Sequence, residues 1–325
     1  MVTDRKTSDG AVLVSPDNFI RAESDLYFGN IVNDGGFGKF VHIRELTPLD
    51  KQFVVRSNRD TLYSAGVFDL DAGPVTVSLP DAAGRFMSMQ VITEDHFVPA
   101  VFYGPGAHTL TRADIGTRYV MVAVRTLVDP NDDADLNAVH ALQDAVGSQQ
   151  KDAGRFEIPK WDTASQKAVR EALNQLAATL PDFSGMFGTK EDTDSIRRLI
   201  GAATGWGGNP EKDATYMSFH TAENDGTTVY RLTVDEVPVD AFWSVTVYNK
   251  DGYFTPNPRN AYSLNNITAQ RDSGGLITIQ FGGCDATTSN CLPITAGWNY
   301  LVRLYRPHES ILNGEWTFPE AQPVS

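Results

Sequence analysis

Short β-type runs recur along most of this chain, too closely spaced to admit helices between them, and that spacing restricts the fold more than any other feature. Between Gln52 and Arg125 the runs are FVVR, TLYSAGVFDL, PVTVSLP, RFMSMQVI, FVPAVFYG and RYVMVAVR. Turn material such as Asp71-Ala72-Gly73-Pro74, Asp81-Ala82-Ala83-Gly84 and Gly104-Pro105-Gly106 separates them. Strands that follow one another directly pair as antiparallel neighbours, because a parallel crossover needs about a dozen residues or more. A second block begins near residue 216 with TYMSFHTA, TTVYRLTV, AFWSVTVYN, LITIQFGG and NYLVRLYRP, then one helical turn and a Pro-bearing tail.

Two stretches carry a different period. Ser15 followed by Pro16 opens a helix over about Pro16 to Asn33, and Asp34-Gly35-Gly36 closes it. In residues 130–205, Leu136, Val139, Leu142 and Val146 share one stripe. Val169, Ala172, Leu173, Leu176 and Leu180 follow the i, i+3, i+4, i+7, i+11 pattern of an amphipathic helix that Pro181 stops, and a shorter helix spans about Asp192 to Ala202. The expected fold is α+β, mostly β. It has an antiparallel N-terminal β-domain with a leading helix over residues 1–129, a helical insertion over 130–210 and a C-terminal β-sandwich over 211–325.

Composition bounds the function. With 27 Lys+Arg against 41 Asp+Glu the net charge is −14, and no basic run offers the clustered cations that nucleic-acid binding requires. No GxSxG elbow, P-loop or GxGxxG after a strand is present, and Gly35-Gly36-Phe37-Gly38 follows a helix, so it reads as a terminator and not a phosphate loop. No nucleotide or other cofactor is expected. The six histidines show no HxH, HxxxH or HExxH spacing, so no metal is expected either. The only apolar stretch near the N-terminus is Ala11 to Val14, too short for a signal segment or a membrane span. The chain as written reads as cytoplasmic, or as periplasmic or secreted if a leader has been removed. Cys284 and Cys291 are either a small loop disulfide, which favours an oxidising compartment, or two independent thiols.

Longer signatures add a family. Val55-Arg56-Ser57-Asn58-Arg59-Asp60-Thr61-Leu62-Tyr63-Ser64, with Val67-Phe68-Asp69-Leu70, Gly73-Pro74-Val75, Leu79-Pro80, Gly84-Arg85-Phe86 and Gln90-Val91, resembles the domain of unknown function numbered 1254. Ala241-Phe242-Trp243-Ser244-Val245-Thr246-Val247-Tyr248-Asn249 resembles the domain of unknown function numbered 1214 that usually accompanies it. So do Gly252-Tyr253-Phe254, Asn257, Tyr262-Ser263-Leu264, Gly297-Trp298-Asn299-Tyr300 and Arg303-Leu304-Tyr305-Arg306-Pro307. The resemblance implies a β-rich N-terminal domain, a helical segment and a jelly-roll-like C-terminal sandwich, and it implies no reaction. Where the family tends to show Asn-Trp-Leu-Pro, this chain has Asn290-Cys291-Leu292-Pro293, and a local disulfide to Cys284 is a plausible substitute for the lost aromatic.

Several residues are candidates for chemistry. If residues 56–63 continue as a strand, Arg56, Asn58, Asp60 and Leu62 share one face and Ser57, Arg59, Thr61 and Tyr63 the other, so either buried face holds a cation. Such a cation either pins domains together through an Arg–Asp network or, as Arg59 with Asn58, grips a substrate carboxylate or phosphate. Glu94-Asp95-His96 at a loop mouth is either a solvated acidic turn or a proton-transfer group, with Asp60 or Glu94 orienting His96. His140 reads as a helix-face residue. The aromatics Trp243, Tyr248, Tyr253, Phe254, Tyr262, Trp298, Tyr300 and Tyr305 read mainly as sandwich core, while the loop residues Tyr253, Asn257 and Arg259 are further ligand candidates.

Two functions fit these residues. One is a metal-independent hydrolase or lyase acting on a small polar or anionic metabolite in an inter-domain cleft. In it Asp60, His96 and Tyr63 do the chemistry, and Arg56, Asn58, Arg59, Tyr253, Asn257 and Arg259 bind substrate. The other is a non-catalytic jelly-roll protein that binds carbohydrate or self-assembles. A small-molecule ligand and a homo-oligomer agree with the composition; a nucleic-acid partner and a membrane span do not.

Overall fold

The computed structural model describes residues 5–50, 52 and 55–324. Phe53 and Val54 of the FVVR run lie outside them. The chain divides into two compact units: Met1–Ile43, Tyr63–Thr126 and Ala138–Glu211 form the first, and Arg44–Leu62, Leu127–Asn137 and Lys212–Ser325 the second.

The elements of the N-terminal two thirds are α1 (Phe19–Asn33), β1 (Val41–Ile43), β2 (Thr61–Asp69), β3 (Val75–Leu79), β4 (Met87–Thr93), β5 (Ala100–Tyr103), β6 (Gly106–Leu110), α2 (Arg112–Ile115), β7 (Tyr119–Leu127), α3 (Asp133–Asp144), β8 (Gly147–Gln150), α4 (Thr163–Ala177) and α5 (Ser195–Thr204). They build a five-stranded sheet of order β1-β2-β7-β4-β5 and a three-stranded sheet of order β6-β3-β8, in which the pairs β1–β2, β4–β7, β4–β5, β3–β6 and β3–β8 are antiparallel. Alternation along the strands decides what each face meets. Val120, Val122 and Val124 of β7 and Met89 and Val91 of β4 join Val75 and Val77 of β3 in one core. Tyr119, Met121 and Ile92 point the other way and pack with Val67 and with Phe28 of α1.

Helix α1 starts at Phe19, three residues later than Ser15-Pro16 suggests, because Asn18 takes the cap position and its side chain accepts from the Ser15 N–H. Its opposite side meets α4 and α5 through Phe19, Ala22, Leu173 and Ile200. A helix covered on both sides explains why the consecutive polar residues Glu23, Ser24 and Asp25 are all buried. Each reaches a different partner: Glu23 accepts from Gln166 and Arg170, Ser24 from the Trp206 indole and Asp25 from the Trp161 indole.

The second unit contains β9 (Ala214–Phe219), β10 (Tyr230–Val234), β11 (Trp243–Tyr248), β12 (Ser263–Asn265), β13 (Ile277–Phe281), β14 (Cys291–Leu292), β15 (Asn299–Tyr305), α6 (Glu309–Leu312) and β16 (Gln322–Pro323). Two four-stranded sheets, β14-β13-β10-β16 and β12-β11-β15-β9, form the jelly-roll-like sandwich. Tyr230, Leu232, Ile277, Ile279 and Phe281 from one sheet face Trp243, Val245, Tyr300, Val302 and Leu304 from the other. Of the eight aromatics read from the sequence, all but the half-buried Tyr253 are buried. The cysteines form a disulfide, Cys284–Cys291, across seven positions. Among the described residues no helix is long and apolar enough to cross a membrane.

Candidate functional site

The outer face of sheet β12-β11-β15-β9 should carry solvent-facing polar side chains, and it does not face solvent. Ser244, Thr246 and Tyr248 alternate with the core residues of β11, and Asn299, Arg303 and Tyr305 with those of β15. Register places Ser244 opposite both Arg303 and Asn265, Thr246 opposite Ser263 and Tyr248 opposite Asn299. Apart from the half-buried Ser263, all of these are buried. Residues of the Arg44–Leu62 segment bond to this face and belong to the same compact unit.

Arg303 organises the cluster. Its Nη1 donates to Thr246 Oγ1 at 2.9 Å, and its Nη2 donates to the Arg56 carbonyl at 2.8 Å and the Tyr248 hydroxyl at 2.8 Å. The Tyr248 hydroxyl donates onward to the Ser57 carbonyl at 2.7 Å. Burial opposes the charge of Arg303, but the neighbouring Tyr248, Tyr305 and Asp60 outweigh it and hold the guanidinium firmly protonated. Burial raises the Tyr248 phenol, which stays neutral.

Asp60 is 1% exposed. Its Oδ1 accepts from the Ser263 hydroxyl at 3.0 Å and from Asn265 Nδ2 at 3.3 Å, while Oδ2 has no partner. Ser244 Oγ and Arg56 Nε are likewise buried without partners. Buried polar atoms are almost always paired, so three such atoms in one cluster mark it out.

The expected strand alternation through Arg56 does not occur. Strand β2 begins only at Thr61, and Arg56 turns in the left-handed region with φ +54. That turn aims successive carbonyls at Arg303, and it is held by the Arg56 N–H bonded to the Gly252 carbonyl at 2.8 Å. Gly252 is required there: it has φ +84, and a Cβ would lie 2.6 Å from Val55 Cγ1. Arg56 Nη2 donates to Asn299 Oδ1 at 3.2 Å. Asn58 bonds Tyr305, Thr61 and the Asp60 N–H. Arg59 is half-buried, stacks over Tyr262 at 5.1 Å and Phe254 at 5.6 Å, and donates from Nη1 to the Thr47 carbonyl. Burial lowers the proton affinity of both Arg56 and Arg59.

A cavity of about 250 Å³ in the same unit is lined by Tyr248, Tyr262, Asn249, Asn257, Pro256 and Pro258 among others. Arg259 lines an adjoining cavity of about 210 Å³ and ties down the disulfide loop through the carbonyls of Asp285 and Thr288. The Tyr253 amide bonds to Asn249, and its ring is not in the cavity wall.

Tyr63 and His96 fall in the first unit. The Arg125 guanidinium lies 5.5 Å over the Tyr63 ring and donates to Gln90, Asn209 and the Gly207 carbonyl. The Gly207 N–H donates to His96 Nε2 at 2.9 Å, which places the proton of the neutral ring on Nδ1, where it has no partner. His96 is fully buried, has φ +61 and stacks on Trp206. Burial, helped by Arg198, lowers its pKa to about 3. Neither proposed carboxylate orients it: Glu94 accepts from Arg21 and the Tyr119 N–H, and Asp60 is engaged by Ser263 and Asn265. Among the described residues no three His, Cys, Asp or Glu side chains gather as a metal site.

Sequence reasoning missed Arg303, Ser244, Thr246, Ser263 and Asn265. Their signal was present as polar residues at every second position of otherwise apolar strands, which on a sandwich ordinarily means a wet face.

A β-sandwich with a buried polar outer face, covered by a segment that precedes it by 150 residues or more in sequence, defines the class. Residues 37–98 match the family described as Protein of unknown function (DUF1254), and residues 213–309 match Protein of unknown function (DUF1214). The chain therefore pairs a DUF1254-type region with a DUF1214-type region. Among solved structures it is similar to the VPA0106 protein from Vibrio parahaemolyticus, with 19% identity, a TM-score of 0.69 and coverage of 95% of this chain and 98% of that one. It is also similar to an uncharacterised protein from Burkholderia cenocepacia, with 13% identity, a TM-score of 0.54 and coverage of 94% and 86%. At these identities the likeness is one of fold. No curated protein matches the chain.

Proposed function

We propose that the C-terminal unit binds a small polar or anionic metabolite at the Asp60–Arg303 cluster and transforms it by acid–base chemistry, as a hydrolase or lyase with Asp60 as the base. The observation that carries this is the unpartnered, buried Oδ2 of Asp60. A carboxylate oxygen buried without a donor costs free energy that a purely structural residue has no reason to retain. Arg56 Nε and Ser244 Oγ add a donor and a hydroxyl to the same cluster. Arg59, whose hydrogen bonding among the described residues is to the Thr47 carbonyl, is the group suited to an anionic substituent. Tyr248 is among the residues lining the 250 Å³ cavity, and its hydroxyl lies in the cluster, so one residue belongs to both. His96, protonating only near pH 3, has no part in this reading. The non-catalytic carbohydrate-binding alternative draws less support, because its aromatic set is buried apart from Tyr253.

A thermal-shift panel of small carboxylates and phosphorylated metabolites tests the reading. A compound at a hundred times its Kd stabilises the protein by about 2.7 kcal/mol. Stabilisation seen with the wild type is expected to vanish in Arg59→Ala, whereas Asp60→Asn keeps binding and loses turnover. Equal responses from wild type and Arg59→Ala remove Arg59 from the site. The disulfide supports an oxidising compartment for this activity. Thiol titration of denatured, never-reduced protein is accordingly expected to find none, and two titratable thiols would contradict it.

A further inference from the structure

The first unit holds a second buried carboxyl group with an unpartnered oxygen, and its setting is different. Asp25 lies on α1, is 1% exposed and accepts from the Trp161 Nε1–H at 2.8 Å through Oδ2, while Oδ1 has no partner. The groups around it come from three places. Arg21 lies one turn earlier on α1, with its guanidinium committed to Glu94 at 3.1 Å and Asp95 at 2.6 Å. Glu94, in the loop after β4, is itself buried and bears on Asp25 as a like charge. Glu23 beside it is neutralised by Arg170 of α4. Among the described residues, the cation acting on Asp25, Arg21, is thus shared with other carboxylates, and Trp161 supplies the one hydrogen-bond donor to it.

Trp161 is not an isolated partner. It forms a parallel bridge with Val12, and the flanking backbone closes it on both sides: the Val12 N–H donates to the Lys160 carbonyl, and the Asp162 N–H donates to the Val12 carbonyl, each at 2.8 Å. Asp162 caps α4 through the Ser165 N–H. The contact of Asp25 with Trp161 therefore joins α1, the N-terminal residues around Val12 and the start of α4.

We propose that Asp25 is a proton-operated clasp, closed when protonated and loosened when ionised, that sets how firmly Val12 and Trp161 are held against α1. Protonation removes the buried charge and the repulsion from Glu94, and these gains outweigh the weaker acceptor that a neutral carboxyl offers the Trp161 indole. Burial is the main cause of its high proton affinity: its pKa rises from 3.8 to about 6, roughly a 100-fold tightening. The sign follows. The folded state keeps its proton up to about pH 6 while the unfolded chain loses it near 3.8, so the clasp weakens as pH rises through this window.

Hydrogen exchange of the full chain tests this with peptides covering residues 12–14 and 160–166. After correction for intrinsic rates, the wild type is expected to lose protection there by up to about tenfold between pH 5 and 7.5, and Asp25→Asn to lose much less. Equal pH dependence in the two proteins overturns the proposal. Infrared titration of the buried carboxyl band gives a readout that does not rest on stability. The wild type should show a band lost near pH 6, absent in Asp25→Asn and moved to higher pH in Trp161→Phe, because the indole bond favours the ionised form. Failure of the band to move in Trp161→Phe counts against the assignment, and neither experiment depends on the activity proposed for the second unit.

Discussion

Arg303→Met is expected to destabilise the C-terminal unit by about 3–5 kcal/mol, the cost of removing one partner from a buried ionic network. The methylene stem is roughly preserved, so the loss measures hydrogen bonds and charge more than volume. Thr246 Oγ1, the Arg56 carbonyl and the Tyr248 hydroxyl each lose a donor, and Asp60 loses the favourable charge of a buried cation. Chemical denaturation at pH 7 reads this directly. Arg303→Lys should recover only part of the loss, since a single ammonium cannot reach Thr246, Tyr248 and the Arg56 carbonyl with the fork geometry of a guanidinium. A loss below about 1 kcal/mol would mean that the network relaxes around the substitution and does not fix the Arg56 turn.

Stability is expected to fall on the acid side because of His96. Its folded pKa is depressed to about 3 from 6.5, so the unfolded chain takes up a proton at a pH where the buried ring refuses one. The contribution, about 5 kcal/mol at 1.36 kcal/mol per unit, is fully present above about pH 6.5 and is lost as pH drops toward 3. About 3 kcal/mol of it is gone by pH 4.5. Asp25 acts in the opposite sense between about 3.8 and 6, so the wild-type profile is a balance of the two. The His96 share is isolated as the difference between wild type and His96→Asn, chosen because Asn tolerates the φ of +61 at this position. That difference should shrink steadily from pH 7 to pH 4. A difference independent of pH would show that the ring is solvated and titrates normally.

The legible and illegible parts of the molecule divide on physical lines. Runs such as RYVMVAVR and AFWSVTVYN became β7 and β11 because period-2 apolar residues need a face to bury, and that signal is local. Strand β8, Gly147–Gln150, carried no such signal: it is polar and pairs with β3 at the sheet edge, where backbone hydrogen bonds suffice. Helix α1 hid its environment for the opposite reason. Nothing local marks its consecutive Glu23, Ser24 and Asp25 for burial, which the pairing with Gln166, Arg170, Trp206 and Trp161, far along the chain, makes tolerable.

The candidate site shows the same limit. Arg56, Asn58, Asp60 and Arg59 stood out locally as polar residues entering a β-run, and the structure gathers them in one unit with Asn257 and Arg259. Tyr63, only three residues beyond Asp60, belongs to the Arg125 cluster of the other unit, because the chain passes from an irregular segment into β2 between them. Loop-mouth exposure was the expectation for His96, yet the ring turns inward beneath Trp206, a contact set by residues more than a hundred positions later.

The central claim is that Asp60 Oδ2 is kept unpaired for a guest. A crystal structure at near-atomic resolution, from protein purified without added ligand, measures this most directly. The account predicts ordered density, a small anion or a water, within hydrogen-bond distance of Asp60 Oδ2 and of Arg56 Nε or Ser244 Oγ. Asp60 Oδ2 bonded directly to a donor of its own chain, with no guest between them, would contradict it.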